Sequence, residues 1–275
     1  MTRTASILLT CLLAGCTVEA APVGAPPAAA ATPASAPAAF AIGPAYLGGA
    51  LPDGPALVPP PPAPGSAGER RDLEAIAAAL SLAGSARFAL AARDADLGPG
   101  AVARAFSCRA GVTLSDANTP AIAHLVRRAA ADFGSSTSGV KALYQRPRPF
   151  MINGKATCTP EAEAGLRTNG SYPSGHSAIG YGTGLVLAAV FPDRAAALVQ
   201  RGIAYGQSRA VCNVHWQSDV ETGRTVAAAT FARLLSDAGF REDLAKAQAE
   251  ARTMIAADMA DTAVCAAETA ALGTD

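Results

Sequence analysis

Three separated segments gather polar residues whose types suit chemistry on an anion. "KALYQRPRP" carries Lys141 and Arg148, "YPSGH" ends in His176, and "SRAVCNVHWQSD" holds Arg209, His215 and Asp219. His215 and Asp219 stand four apart, a spacing that on a helix puts them on one face within contact. A carboxylate against an imidazole fixes its tautomer and stabilises its charged form, as a histidine nucleophile or general base requires. The plainer account is an exposed helix pair worth about 0.2–0.5 kcal/mol. Ser174, Gly175 and His176 sit where a loop feeds an apolar helix, and unpaired N–H groups there attract anions. Gly175 permits close backbone approach, Ser174 adds a hydroxyl donor, and His176 adds a proton donor. Taken alone, Ser174-Gly175 reads better as an ordinary capped helix start. Lys141, Arg148 and Arg209 lack local carboxylate partners, and Pro147 and Pro149 hold the chain around Arg148 extended. If the three cations converge in a core, leaving them unpaired is strongly unfavourable. A phosphate resolves that conflict, because arginine forks match its oxygens.

The elements that must position these residues read as helices. Hydrophobic residues make up 50% of the 275 and aromatics only 5%. Abundant Ala and Gly suit closely packed helices, since Ala is the best helix former. The stretch from Glu69 to Leu97 holds two helices broken near Gly84-Ser85. "TPAIAHLVRRAAADF" begins with a Thr cap and Pro at the first helical position. Further helices are expected at Ser177–Val190, Ala195–Ser208, Asp219–Asp237 and Glu242–Ala270. No alternating run of strand length stands out, and no later apolar run reaches the roughly 18–20 residues of a membrane span. The expectation is an all-α, water-soluble, single globular helical domain. With 22 basic and 22 acidic residues, nothing favours nucleic acid as a partner.

The N-terminus reads as an export signal: Arg3 precedes "SILLTCLLAG", an apolar stretch too short to span a bilayer. Its end, "LLAGC", resembles the lipobox of bacterial lipoproteins, which implies cleavage before Cys16 and lipidation of its thiol. The alternative is ordinary cleavage near Ala20 or Ala21. Either route takes the chain out of the cytoplasm, to the periplasm or, through a lipid on Cys16, to the outer membrane; that lipid would be its one link to a bilayer. From Thr17 to about Ala41 the composition suits a disordered Ala/Pro-rich tether. Composition leaves open whether the following "AYLGGALPDGPALVPPPPAPGS" is linker or docked chain. Cys108, Cys158, Cys212 and Cys265 suit two disulfides in an exported chain, with three pairings open. The sequence leaves open whether a homo-oligomer forms.

In order, Lys141-x6-Arg148-Pro149, Pro173-Ser174-Gly175-His176 and Ser208-Arg209-x5-His215-x3-Asp219 look like the complete three-part signature of the PAP2 phosphatase superfamily. Together with "GSYPSGH", "GQSR", "HWQSDV" and the upstream "LPDGPALVPPPP", the chain more closely resembles the bacterial class A non-specific acid phosphatases, from about Tyr46 to Ala251. That resemblance implies an all-α domain using no metal and no cofactor. It implies that His215 attacks phosphorus to give a phosphohistidine, that Asp219 holds its reactive tautomer, and that His176 protonates the leaving alcohol. Lys141, Arg148, Arg209, Ser174 and the Gly175 backbone would bind the phosphoryl oxygens. Substrates would be small phosphomonoesters of broad type (nucleotides, sugar phosphates, aryl phosphates), with phosphotransfer as a further activity. The Pro-rich stretch from Leu51 would belong to the folded domain. The organisation is then a signal at 1–15, a tether at 16–42 and a catalytic domain at 43–275. A neutral His215 and a protonated His176 would together favour a mildly acidic optimum.

Other readings fit less well. A serine-hydrolase elbow needs G-x-S-x-G, but Tyr172 and His176 occupy its glycine positions around Ser174. "GYGTGL" has Leu185 where a dinucleotide fingerprint needs its last Gly, so helix packing through small residues accounts for it better. Only three histidines exist and no HExxH, which disfavours metal hydrolysis. His124 matches no motif position, and Trp216 reads as a packing wall beside His215. Vanadium haloperoxidases use a similar signature with vanadate in place of phosphate, and a phosphate-binding lipoprotein without turnover is the non-enzymatic alternative. The sequence around the motifs argues against the first, and intact His176, His215 and Asp219 argue against the second.

Overall fold

In the computed structural model, which describes residues 44–254 and 259–273, helices account for all the regular structure. The signal, Cys16 and the tether lie outside the described residues. Short α1 (Gly54–Leu57) leads to α2 (Ala67–Leu80) and α3 (Ala86–Arg93), then to the single turns α4 (Ala101–Arg104) and α5 (Ser107–Ala110). Long α6 (Pro120–Ser135) is followed by short α7 (Ser138–Tyr144), α8 (Pro149–Asn153) and α9 (Glu163–Arg167). The long helices α10 (Gly175–Val190), α11 (Ala195–Val211) and α12 (Gln217–Leu234) precede α13 (Ala238–Ala251) and α14 (Thr262–Leu272). Among the described residues no strand forms, only an isolated bridge between Val112 and Met259. The fold is all-α, as its sequence indicates.

Local chemistry explains most boundaries. Ser66 accepts from the Glu69 N–H at 3.2 Å while the Glu69 carboxylate accepts from Gly65, so α2 starts on reciprocal caps. Gly84 turns with φ +77°, and Ser85 then caps α3 by accepting from Phe88. Two expectations are corrected. Thr119 does not cap α6 with its side chain, because its hydroxyl is held by Ser115. The carboxylate of Glu250, on distant α13, instead accepts from Ala121 and Ile122 at 3.1 and 2.9 Å. The single helix expected over Glu242–Ala270 is two: α13 stops at Ala251, and Asp261 caps a new start by accepting from Ala263 and Val264. An Ala-rich periodicity runs through such a break unchanged, so the capping carboxylate was its only mark.

Helix α10 is apolar on every side because it is enclosed by α6, α11 and α12. Gly180 and Gly184 serve the crossing with α11, and Gly182 makes room for Phe133 of α6. A Cβ at Gly202 would lie 2.7 Å from the Gly180 carbonyl oxygen, and one at Gly184 would lie 2.8 Å from that of Leu198. "GYGTGL" is therefore a packing surface. Ile122, Leu125, Phe133, Ile179 and Leu187 fill the core around it. The Pro-rich stretch is part of the fold: Val58 is buried against Val140 and Tyr172, and the Tyr172 hydroxyl donates to the Pro59 carbonyl at 2.7 Å. Disulfides join Cys108 to Cys265 and Cys158 to Cys212, so α5 is tied to α14 and the chain before α9 to the end of α11. Among the described residues, no helix is long and apolar enough to cross a membrane.

Candidate active site

His215 is not on a helix. It precedes Trp216, the N-cap of α12, and Asp219 is the third residue of that helix. The i,i+4 helical pair expected from spacing is replaced by a capping arrangement that the same spacing permits. Asp219 Oδ2 accepts from the Trp216 backbone N–H at 2.8 Å and faces His215 Nδ1 at 3.3 Å. On the other side of the ring, Nε2 lies 3.0 Å from Arg148 Nη1. A guanidinium only donates, so Nε2 must present its lone pair and Nδ1 must carry the hydrogen directed at Asp219. Both neighbours thus select one tautomer, in which Nε2 carries a lone pair and no hydrogen.

The cations arrive through backbone carbonyls. Proline on each side keeps Arg148 extended at the start of α8, where it is 2% exposed. Its Nε donates to the carbonyls of Leu166 and Asn169 at 2.9 and 3.1 Å, and Nη1 to that of Val214 at 2.9 Å. Lys141 Nζ, near the middle of α7, donates to the Gly170 carbonyl at 2.7 Å. Carbonyls aim these groups without cancelling their charge. Arg209, at the C-terminal end of α11, is also 2% exposed, and its Nε and Nη1 have no hydrogen-bond partner among the described residues. Burial, then Arg148, pushes the Lys141 ammonium down to about 7. Burial also pushes the guanidinium of Arg209 down to about 10, and burial followed by the Arg209 charge does the same to Arg148. Burial lowers all three groups, and neighbouring like charge lowers Lys141 and Arg148 further.

The N-terminus of α10 completes the group. Ser174 caps it, accepting from the Ser177 N–H at 3.2 Å, so the helix opens at Gly175. The Ser174 N–H donates to the Asp219 carbonyl at 2.9 Å, joining the second and third motifs directly. A Cβ at Gly175 would lie 3.9 Å from Lys141 Cε, which places this helix end against the cations. His176 Nε2 is 3.1 Å from the Ala95 carbonyl oxygen. Burial foremost, then Arg209 for His176 and Arg148 for His215, holds both imidazoles well below their ordinary range. Burial also raises the Asp219 carboxyl against the pull of Arg146. Lys141, Arg148, Ser174, Gly175, His176, Arg209, His215 and Asp219 thus occupy one locality.

A further layer was not anticipated. Arg146 Nη1 donates to Asp219 Oδ1 at 2.7 Å, while its Nη2 meets Asp72 Oδ2 at 2.8 Å. Asp72 in turn accepts from the Ser218 backbone and hydroxyl at 2.8 and 2.6 Å. The doubled Arg-Pro of "RPRP" was a signal for Arg146; Asp72, one acidic residue among several in α2, offered none. Trp216 is a wall, 7% exposed, with its indole N–H on the Pro147 carbonyl at 2.9 Å. His124 lies 3.3 Å from Asp243, away from the group. Among the described residues, no three His, Cys, Asp or Glu side chains gather where a metal ion could be held.

Residues 121–242 match the family model described as the PAP2 superfamily. The chain is 42% identical over 194 residues to the non-specific acid phosphatase of Salmonella typhimurium, covering 70% of this chain and 78% of that protein. It is 40% identical to the acid phosphatase of Zymomonas mobilis, covering 70% and 72% respectively. With the non-specific acid phosphatase of Providencia stuartii the identity is 41%, over 72% and 80%. The chain belongs to the PAP2 superfamily and, within it, to the class A non-specific acid phosphatases.

Proposed function

We propose that this acid phosphatase hydrolyses phosphate monoesters of broad type through a phosphohistidine on His215. The observation that carries the reading is the state of that ring: Nε2 offers its lone pair to the cations while Nδ1 is backed by Asp219. Lys141, Arg148, Arg209, Ser174 and the Gly175 backbone bind the non-bridging oxygens. Nε2 then attacks phosphorus, so a P–N bond forms as the P–O ester bond breaks. The electron pair leaves on the ester oxygen, which takes a proton from His176, while Asp219 stabilises the positive ring. Fixed cations offset the charge that spreads over the equatorial oxygens, the largest contribution such a site makes. In the second step water attacks phosphorus, His176 takes its proton, and the P–N bond breaks to release phosphate. An alcohol entering in place of water gives phosphotransfer. The N-terminal features support an exported enzyme, in the periplasm and anchored to the outer membrane by a lipid on Cys16.

The test is a panel of nucleotide, sugar and aryl phosphates, assayed with chelator present and with glycerol as a competing acceptor. A common intermediate gives one ratio of glycerol phosphate to free phosphate whatever the leaving group, and His215→Ala abolishes turnover. A ratio that changes with leaving group, chelator-sensitive activity, or a fully active His215→Ala enzyme would refute the mechanism.

A further inference from the structure

Asp94 closes α3 as its C-cap residue and is 2% exposed. Arg201 of α11 grips it with both arms, Nη2 to Oδ1 at 2.6 Å and Nη1 to Oδ2 at 3.2 Å. Ser208, the residue before Arg209, donates its hydroxyl to Oδ2 at 2.6 Å. Arg201 is itself 1% exposed, and its Nε lies 3.3 Å from Glu268 Oε2 on α14. Buried ion pairs contribute little net stability, because desolvation offsets most of the attraction, and apolar packing would hold these helices as well. What the fork supplies is direction, since a bidentate contact fixes the carboxylate and therefore the backbone that carries it.

That backbone leads to the proposed acid. Ala95 follows Asp94, and its carbonyl oxygen is the atom 3.1 Å from His176 Nε2. A carbonyl only accepts, so Nε2 keeps its hydrogen in both charge states and the proton that moves is the one on Nδ1. The same contact favours the charged ring against the burial and the Arg209 charge that oppose it. Tyr205, whose ring lies nearly parallel to His176 at 6.5 Å between centroids, has the Arg201 guanidinium carbon 5.6 Å from its own centroid. The clamp thus borders the imidazole through the Ala95 carbonyl and through Tyr205.

We propose that Asp94, clamped by Arg201 and Ser208, is a positioning residue for His176, and that Glu268 of the C-terminal helix braces the clamp from behind. The inference rests on the reading of His176 as leaving-group acid. As the P–O ester bond breaks and the P–N bond forms, the departing oxygen must find the Nδ1 proton in place. A ring free to turn would meet that need only part of the time. Helix α14 lies beyond residues 121–242, so the brace is an addition to the segment matched by the superfamily.

The experiment measures kcat/KM for monoesters whose leaving groups run from p-nitrophenol to simple alkanols, because an acid matters most where the leaving group is poor. His176→Asn should cost alkyl esters about 10²–10⁴-fold and the nitrophenyl ester far less. Asp94→Asn should show the same slope at smaller amplitude, about 10–10²-fold on alkyl esters and under about threefold on the nitrophenyl ester. Uniform loss across the series, or a lowered melting temperature with the slope of wild type, would overturn the positioning role. If Asp94→Asn does not fold, Glu268→Gln decides: a loss confined to alkyl esters supports the brace, and a flat response overturns it. A flat response from His176→Asn itself withdraws the acid assignment and the positioning role with it. A steep His176→Asn beside a flat Asp94→Asn removes only the latter.

Discussion

Burial and the Arg148 guanidinium bring the Lys141 ammonium down to about 7, whereas Arg148 and Arg209 stay charged up to about 10. Below neutrality the empty site therefore offers three cations, and above it only two. kcat/KM, which reports the free enzyme, should fall as pH rises through about 7, and Lys141→Arg should displace that limb to higher pH. A profile still rising above pH 8 would contradict this. The linkage carries a definite sign. Unfolded, Lys141 holds its proton to about 10.4; folded and empty, it releases it near 7. Through this group, stability of the empty protein rises with pH across that window and is lowest below it. At this scale the sequence was informative about residue types, since three motifs named Lys141, Arg148, Arg209 and both imidazoles, though not Arg146, which pairs with Asp219. It left the setting of His215 open, because four-residue spacing suits a helix face and a helix cap alike. It could not show that carbonyls of Leu166, Asn169 and Gly170 hold Arg148 and Lys141, because a carbonyl belongs to every residue.

At the scale of elements, function depends on how closely α10 approaches α12. A Cβ at Gly223 of α12 would lie 2.6 Å from the Ser174 carbonyl oxygen and 2.9 Å from Ser177 Cβ, at the start of α10. Gly223→Ala must push that helix end away from the cations, at about 1–3 kcal/mol in stability. Because misplacement near 1 Å can cost about 10²-fold, kcat/KM should fall at least about tenfold. A crystal structure should show the Gly175 end displaced; wild-type kinetics would contradict the argument. Helices were legible where apolar periodicity met a local cap, as at Ser66 and Ser85. Helix α6 was legible as well, from Pro120 at its first position, but its cap was not: Glu250 supplies it, a contact 128 residues away in sequence for Ile122.

Across the whole molecule, the two disulfides close loops of different meaning. Cys158–Cys212 fastens the chain that supplies the carbonyls for Arg148 and Lys141, whereas Cys108–Cys265 fastens α14. Each should contribute about 2–4 kcal/mol by restricting the unfolded chain. Their loss should nonetheless differ in kinetics. Cys158→Ser with Cys212→Ser should raise KM and weaken inhibition by phosphate. Cys108→Ser with Cys265→Ser should lower stability with KM close to wild type. Matched urea titrations and inhibition curves for both pairs give the comparison, and equal effects on KM would refute it. The pairing itself was beyond the sequence, because even four cysteines allow three arrangements.

The carbonyl cradle also has a consequence for the economy of turnover. Among the described residues, no carboxylate bonds to Lys141, Arg148 or Arg209; Lys141 and Arg148 donate to backbone carbonyls, and Arg209 Nε and Nη1 have no bonded partner. On the proposed reading, inorganic phosphate would meet the same donors as the substrate's phosphoryl group. The enzyme should therefore be governed by its own product, idling where free phosphate is plentiful and working where it is scarce.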